Sequence, residues 1–263
     1  MNDELVTCDA AEHIATVTLN RPKALNALSD GMLAALKKTL TEIAQDSQIK
    51  VVILKGAGKV FCAGHDLKEM QAGRAADDKG AAYFNDLFSR CGEIMQMIPA
   101  MPQPVIAQVH GIATAAGCQL VASCDMAVAA EDTKFGVNGV NIGLFCSTPM
   151  VALSRNMPRK QVFEMLTTGE FISAHEAKAY GLINRVASEG LLDAETQKLA
   201  QTVASKLGAA VRIGKRAFYE QLGLPLDQAY AYTGAVMAEN MLLRDTDEGI
   251  TAFIEKRKPD WAT

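Results

Sequence analysis

Val51-Val52-Ile53-Leu54-Lys55-Gly56 leads, after a short connection, into Phe61-Cys62-Ala63-Gly64-His65-Asp66-Leu67-Lys68-Glu69-Met70. An apolar run of this length with β-branched residues suits a strand buried on both faces, as in a parallel sheet. Gly64 lets the backbone turn tightly, and Asp66 suits the start of a helix, where the dipole favours a negative group. The stretch therefore reads as strand, tight corner, helix. Backbone N–H groups around His65 lie at that corner, free to face a ligand and to stabilise an oxyanion. Alone, the pattern is common among α/β proteins.

A second corner makes it specific. Pro104-Val105-Ile106-Ala107-Gln108-Val109 is another buried-strand run, and His110-Gly111-Ile112-Ala113-Thr114-Ala115-Ala116-Gly117-Cys118-Gln119-Leu120 again passes through small residues into a helix. Two such corners, about fifty residues apart, can each offer one donor to the same carbonyl oxygen.

Upstream, His13 to Asn20 alternates, with Ala15, Val17 and Leu19 on one side and Thr16 and Thr18 on the other, as in a half-buried strand. Ser29 can cap a helix carrying Met32, Leu33, Leu36, Leu40 and Ile43 at helical spacing, so the chain opens β–α–β. Downstream, Gln71 to Lys79 mixes glycine, alanine and charge and is expected as a mobile loop. A long helix follows, with Phe84, Leu87, Phe88, Cys91, Ile94, Met95 and Ile98 on one face as core or pocket wall, ended by Pro99, Pro102 and Pro104.

Ala127 to Ala130 continues the apolar pattern, and Lys134 to Gly143 is glycine-rich and irregular. Thr148-Pro149 starts a helix, Ser173-Ala174-His175-Glu176 is a capping box, Gly181 can end its helix, and Leu182 to Val186 reads as a strand. From Leu191 the pattern is helical, punctuated by Pro225 and Gly249. This divides the chain into a core over 1–195 and a helical region over 196–263.

The 263 residues are 49% hydrophobic and 21% charged, which suits one well-buried unit with a smaller appendage. A formal charge of −4 argues against general nucleic-acid binding, which needs a basic face. The cysteines Cys8, Cys62, Cys91, Cys118, Cys124 and Cys146 show no C-x-x-C spacing and are expected as free thiols in a reducing compartment. No metal site is expected. The acidic start Met1-Asn2-Asp3-Glu4 does not read as a signal or transit peptide, and no apolar run is long enough to cross a bilayer. A cytoplasmic protein is the expectation.

Asn20-Arg21-Pro22 with Asn26-Ala27-Leu28, the Phe61 to Leu67 corner, the Gly111 to Leu120 loop and Cys124-Asp125 match, in order, segments of one family. The chain resembles the enoyl-CoA hydratase/isomerase family, the crotonase superfamily, over nearly its whole length. Val140 to Pro149 is further similar to a branch named for the enoyl-CoA hydratase domain rather than for a reaction. The resemblance implies an α/β fold: a crotonase-type spiral of ββα units, with a C-terminal helical region that packs subunits into a homotrimer or homohexamer. It implies an acyl-CoA thioester as substrate, the coenzyme A being part of it and no separate cofactor being needed.

By position, the oxyanion-hole donors are the N–H groups of His65 and Ala116. Lys23, Ala24, Ala63, Asp66, Leu67 and Lys68 are implied as substrate-binding, and Phe253 and Lys256 match a tail segment that reaches a neighbour's coenzyme A. Lysines near phosphates are physically sensible in an otherwise acidic chain.

The proton-handling groups depart from the pattern. The two glutamates of hydratases fall on Gln119 and Gly139, and neither can take a proton. The expectation is a nominal enoyl-CoA hydratase that stabilises a thioester enolate without efficient water addition. Isomerase, thioester hydrolase and decarboxylase chemistry are alternatives, the last because Ala63-Gly64-His65-Asp66 and Val140 to Gly143 resemble methylmalonyl-CoA decarboxylases. A non-catalytic acyl-CoA binder is another. His65 can shuttle protons near neutral pH; Cys118, Cys146 and Ser147 are candidate nucleophiles, Asn138 and Asn141 candidate orienting groups, and Asp125 a structural one.

Overall fold

The computed structural model describes residues 4–261; the start at Met1-Asn2-Asp3 and the last two positions lie outside the described residues. The chain begins with β1 (Val6–Ala11), β2 (Ile14–Leu19), a 3-10 turn (Pro22–Ala24) and α1 (Asp30–Gln45). It continues through β3 (Val51–Gly56), α2 (Leu67–Gly73), α3 (Ala81–Ala100), β4 (Val105–Val109), β5 (Ile112–Thr114), α4 (Ala116–Ser123) and β6 (Met126–Ala130). Then come β7 (Lys134–Gly136), a 3-10 turn (Asn138–Ile142), α5 (Pro149–Asn156), α6 (Arg159–Thr168), β8 (Ile172–Ser173), α7 (Ala174–Ala179) and β9 (Arg185–Ala187). Four helices close the chain: α8 (Leu192–Ala204), α9 (Gly208–Gln221), α10 (Leu226–Met241) and α11 (Arg244–Ile254).

The larger sheet has the order β1-β2-β3-β4-β6-β9, parallel except for the β1–β2 hairpin. A second sheet, β5-β7-β8, stands beside it. Side chains of β3 divide as the strand period of two requires. Val52 and Leu54 join the core shared with α1, α3 and α4, while Val51 and Ile53 pack with Leu199 and Ala200 of α8 on the opposite face. The sheet is thus sandwiched between helical layers, which is why β3 and β4 are apolar at nearly every position. The expected boundary at 195/196 falls inside α8.

Helix α1 follows its sequence closely. Ser29 Oγ accepts from the Met32 N–H at 3.1 Å, a cap that stabilises by about 1 kcal/mol, and Met32, Leu33, Leu36, Leu40 and Ile43 are all buried. Each of those side chains adds roughly 1.5–3 kcal/mol over an exposed one. Ser173 forms its capping box with Glu176.

Four local expectations are corrected. Helix α2 extends to Gly73 and the rest of the expected mobile loop is a turn held by Asp78, which accepts from the N–H groups of Gly80 (2.9 Å) and Ala82 (2.8 Å). The strand expected at Leu182–Val186 forms later, at Arg185–Ala187, because the Leu182 N–H turns back onto Ala177 O (2.9 Å) at the end of α7. Lys134–Gly143 is a short strand and a 3-10 turn rather than irregular chain. Gly249 lies within α11, where it packs against Trp261, and does not interrupt the helix.

Candidate active site

Strands β3 and β4 are parallel neighbours, Val52 pairing with Val105 and Ile53 with Ile106, so the corners that follow them emerge side by side. Ligands in open α/β sheets bind in such crevices beyond the carboxyl ends of strands. The Cys62 N–H donates to Ile112 O (3.2 Å) and the Thr114 N–H to Cys62 O (3.1 Å), which locks the two loops in register.

Contact is close enough to dictate residue size. A Cβ on Gly64, whose φ is +90°, would lie 3.0 Å from Ala115 Cβ and 3.4 Å from the Ala116 nitrogen. A Cβ on Gly117 would come within 2.3 Å of the Cys62 carbonyl oxygen. Between them Ala115 turns at φ 49°, ψ −119°, a conformation that costs an alanine about 1–3 kcal/mol. Ala116 is the first residue of α4, and the first N–H groups of a helix have no intrahelical acceptor. Among the described residues, neither the His65 nor the Ala116 N–H has a backbone partner.

The Asn20–Leu28 motif braces the first corner. Asn26 is fully buried; its Nδ2 donates to Ala57 O (2.8 Å), Val60 O (2.9 Å) and Phe61 O (3.2 Å), while its Oδ1 accepts from the Arg21 N–H (3.0 Å). Asp66 caps α2 through the Lys68 and Glu69 N–H groups and accepts from Arg21 Nη1 at 2.6 Å. Burial alone would raise the Asp66 pKa, but these hydrogen bonds outweigh it and keep the carboxylate ionised. Asp66 therefore positions the corner, its carboxylate paired with Arg21 and the first N–H groups of α2. The turn carrying Lys23 and Ala24 borders the same corner, since the Ala63 N–H donates to Leu25 O (3.1 Å).

A cavity of about 320 Å³ opens at the paired corners. Ala63, His65, Leu67, Ala116 and Gly139, all singled out from sequence, line it. Lys23 and Lys68 are exposed outside it. Phe253 and Lys256 are exposed near the end of α11, away from the lining. Gln119 is buried one helical turn beyond Ala116 and does not reach the lining; among the described residues its Oε1 has no partner.

The sequence reading passed over Met70 and Thr114. Thr114 Oγ1 donates to Asn138 Oδ1 at 2.6 Å, fixing one polar edge of the cavity. Its only advance signal was its place beside the second corner.

The lining contains no Asp, Glu, Lys or Arg. Nor do the candidate nucleophiles have an activating base. All six cysteines are free; Cys118 is fully buried and desolvation pushes its thiol up to about 12. Cys146 reaches the lining, but burial raises its pKa too, so it remains a thiol. Ser147 Oγ donates only to Phe145 O. Among the described residues no His/Cys/Asp/Glu cluster can hold a metal ion.

At Gly139 there is no room for a side chain: a Cβ would lie 2.3 Å from Leu144 O and 2.9 Å from Cys146 Sγ. Gly139→Glu is accordingly expected to lower stability by about 1–3 kcal/mol through overpacking. It should also leave hydration of crotonyl-CoA no faster, which urea denaturation and a coupled assay would check.

The model of the enoyl-CoA hydratase/isomerase family matches residues 9–263, and the chain belongs to that family. Enoyl-CoA hydratase domain-containing protein 3, mitochondrial, of Mus musculus is 47% identical over 249 residues, covering 95% of this chain and 81% of that protein. The crystal structure of an enoyl-CoA hydratase from Mycobacterium smegmatis superposes with a TM-score of 0.94 at 52% identity, covering 98% of this chain and 99% of the other. The crystal structure of human enoyl-CoA hydratase domain-containing protein 3 gives 0.91 at 46% identity, covering 98% and 100%. The expected crotonase-type α/β fold and the branch signalled by Val140–Pro149 are borne out. The cytoplasmic expectation is overturned: relatives at 46–47% identity are named mitochondrial proteins.

Proposed function

We propose that this chain processes acyl-CoA thioesters by holding the thioester oxygen between the His65 and Ala116 N–H groups and stabilising an enolate. In this reading it does so without the two-carboxylate water addition of an ordinary hydratase. One observation supports this most: two unpaired amides border a cavity whose lining has no ionised side chain. Donors fixed where charge develops lower the barrier because they need no reorganisation.

Adding water to a double bond needs one group to activate the water and another to supply the proton. Each missing group forfeits about 10²–10⁴ in rate. Decarboxylation of a carboxylated acyl group fits poorly, because no cation in the lining would pair the substrate carboxylate. Thioester hydrolysis lacks an activated nucleophile. Lys23, Ala24 and Lys68 are proposed to meet the coenzyme A, which is part of the substrate.

Phe253 and Lys256 are proposed to reach a neighbour's coenzyme A in a homotrimer or homohexamer. In support, α10 and α11 expose Leu226, Tyr230, Met237 and Phe253 at 70–85%, an apolar surface of the kind that marks an interface.

An acyl-CoA screen by mass spectrometry, with crotonyl-CoA included, tests the reading. Crotonyl-CoA hydration about 10⁴-fold or more below that of a two-carboxylate relative is expected, with product from another acyl-CoA. Ordinary hydratase turnover would overturn it. Tight binding without product from any acyl-CoA would favour the non-catalytic binder.

A further inference from the structure

We propose that Asn138, held by Thr114, is a second oxygen-binding point in the cavity, and that the acyl group it fits carries an oxo group on Cβ. The inference deepens the proposed function. It rests on the placement of the thioester oxygen at the His65 and Ala116 N–H groups, and names the class of thioester such a site favours.

Three observations carry it. The first is the state of the Asn138 amide. Thr114 Oγ1 spends its proton on Asn138 Oδ1 at 2.6 Å, which fixes the amide with its Nδ2 turned away from Thr114. Among the described residues that Nδ2 has no hydrogen-bond partner, and unlike the His65 ring nitrogens it is not shut off from solvent. Asn138 is half-buried, and both it and Thr114 line the cavity. An asparagine in a turn commonly bonds its own backbone, but this one does not, and the 3-10 turn it opens has no side-chain cap.

The second is position. Thr114 ends β5, two residues before Ala116. The point that a Cβ on Gly64 would occupy is 3.2 Å from Thr114 O and 3.4 Å from the Ala116 nitrogen, so Thr114 borders the corner that offers the Ala116 N–H. An oxygen that meets Nδ2 is therefore one carried close to the thioester carbonyl.

The third is the lining, which has no ionised side chain. A second carboxylate on the acyl group would be buried there without a cation, so the substituent is a neutral oxygen. A simple acyl thioester yields its α-proton only to a well-placed base. Flanked by two carbonyls, the same proton is far more acidic, because the enolate charge is shared by both oxygens. Fixed neutral donors at each oxygen suit that charge distribution.

The step is balanced. The Cα–H bond breaks, its electron pair enters the conjugated system, the charge spreads over the thioester and Cβ oxygens, and the proton passes to water. Return of the proton to Cα restores the β-oxoacyl thioester.

The test compares acetoacetyl-CoA with butyryl-CoA by titration calorimetry, and follows the near-ultraviolet absorbance of the acetoacetyl-CoA enolate against pH. The wild type should bind acetoacetyl-CoA about tenfold or more tightly than butyryl-CoA, and should ionise it about one pH unit or more below the free thioester. Asn138→Leu, close to asparagine in shape, should bring the two affinities within about threefold of each other and shrink the pH shift. Thr114→Val should weaken the preference too, by releasing the amide, and circular dichroism should report an intact fold in both. Equal binding of the two thioesters by the wild type overturns the proposal, as does a preference that survives in both variants. So does 3-hydroxybutyryl-CoA binding as tightly as acetoacetyl-CoA, since a hydroxyl forms no such enolate. Ala116→Pro separates this from the reading beneath it. Should it leave the pH shift intact while Asn138→Leu removes it, the oxyanion placement fails. Should it remove the shift while the Asn138 and Thr114 variants keep the preference, the Asn138 assignment alone fails. A wild type that binds neither thioester overturns both.

Discussion

Ala116→Pro is expected to reduce turnover of any acyl-CoA processed here by about 10²–10³-fold, the cost of deleting one oxyanion donor. The substitution is unusually direct. Ala116 is the first residue of α4, where proline is tolerated because its missing N–H has no helical acceptor and its fixed φ already suits the helix. The preceding Ala115, at φ 49° and ψ −119°, will resist the proline ring, so a stability loss of about 1 kcal/mol should accompany the kinetic one. Circular dichroism should report an intact fold. Retention of more than about a tenth of the wild-type rate would mean that the Ala116 N–H is not used as proposed.

Lys215→Met is expected to cost about 3–5 kcal/mol of stability, a large share of the roughly 5–15 kcal/mol available to a domain. Lys215, 8% exposed on α9, donates at 2.8 Å to three oxygens: Ile98 O at the end of α3, Gln103 O before β4, and Asp125 Oδ2 before β6. Asp125 also accepts from the Val105 N–H (2.6 Å) and from Tyr219 (2.8 Å). Burial lowers the lysine pKa, and the charge and hydrogen bond of Asp125 oppose this. Removing the ammonium strands a carboxylate and two carbonyls. Urea denaturation measures the loss, and a change below about 1 kcal/mol would show that water reaches the group readily.

That buried lysine also shows where the sequence was hard to read. A lysine on an amphipathic helix has the same pattern whether it is solvated or folded inward, and only its partners, some ninety to a hundred and twenty residues away in sequence, decide which. Asp125, by contrast, was legible as structural because it sits at a strand start. Helix α1 could be read outright: its cap and its apolar spacing are both local signals. The two corners were legible for the same reason, since tight turns need small residues and the flanking strands are strongly apolar.

Strand β1 was not legible. It is an edge strand with most residues exposed, so no alternation marks it. The three-residue strands β5 and β7 are too short to establish a period. The Arg21–Asp66 pair was not legible either, because adjacency to the corner does not reveal that Arg21, forty-five residues away in sequence, meets the carboxylate.

The backbone packed over Gly139 bears on any attempt to retool this scaffold. Grafting a carboxylate by swapping one amino acid would ask a side chain to occupy volume already filled by the Leu144 peptide and the Cys146 sulfur. The smallest workable transplant is therefore the whole segment 139–146 from a donor enzyme, moved as a unit. Libraries that diversify position 139 alone explore a dead end.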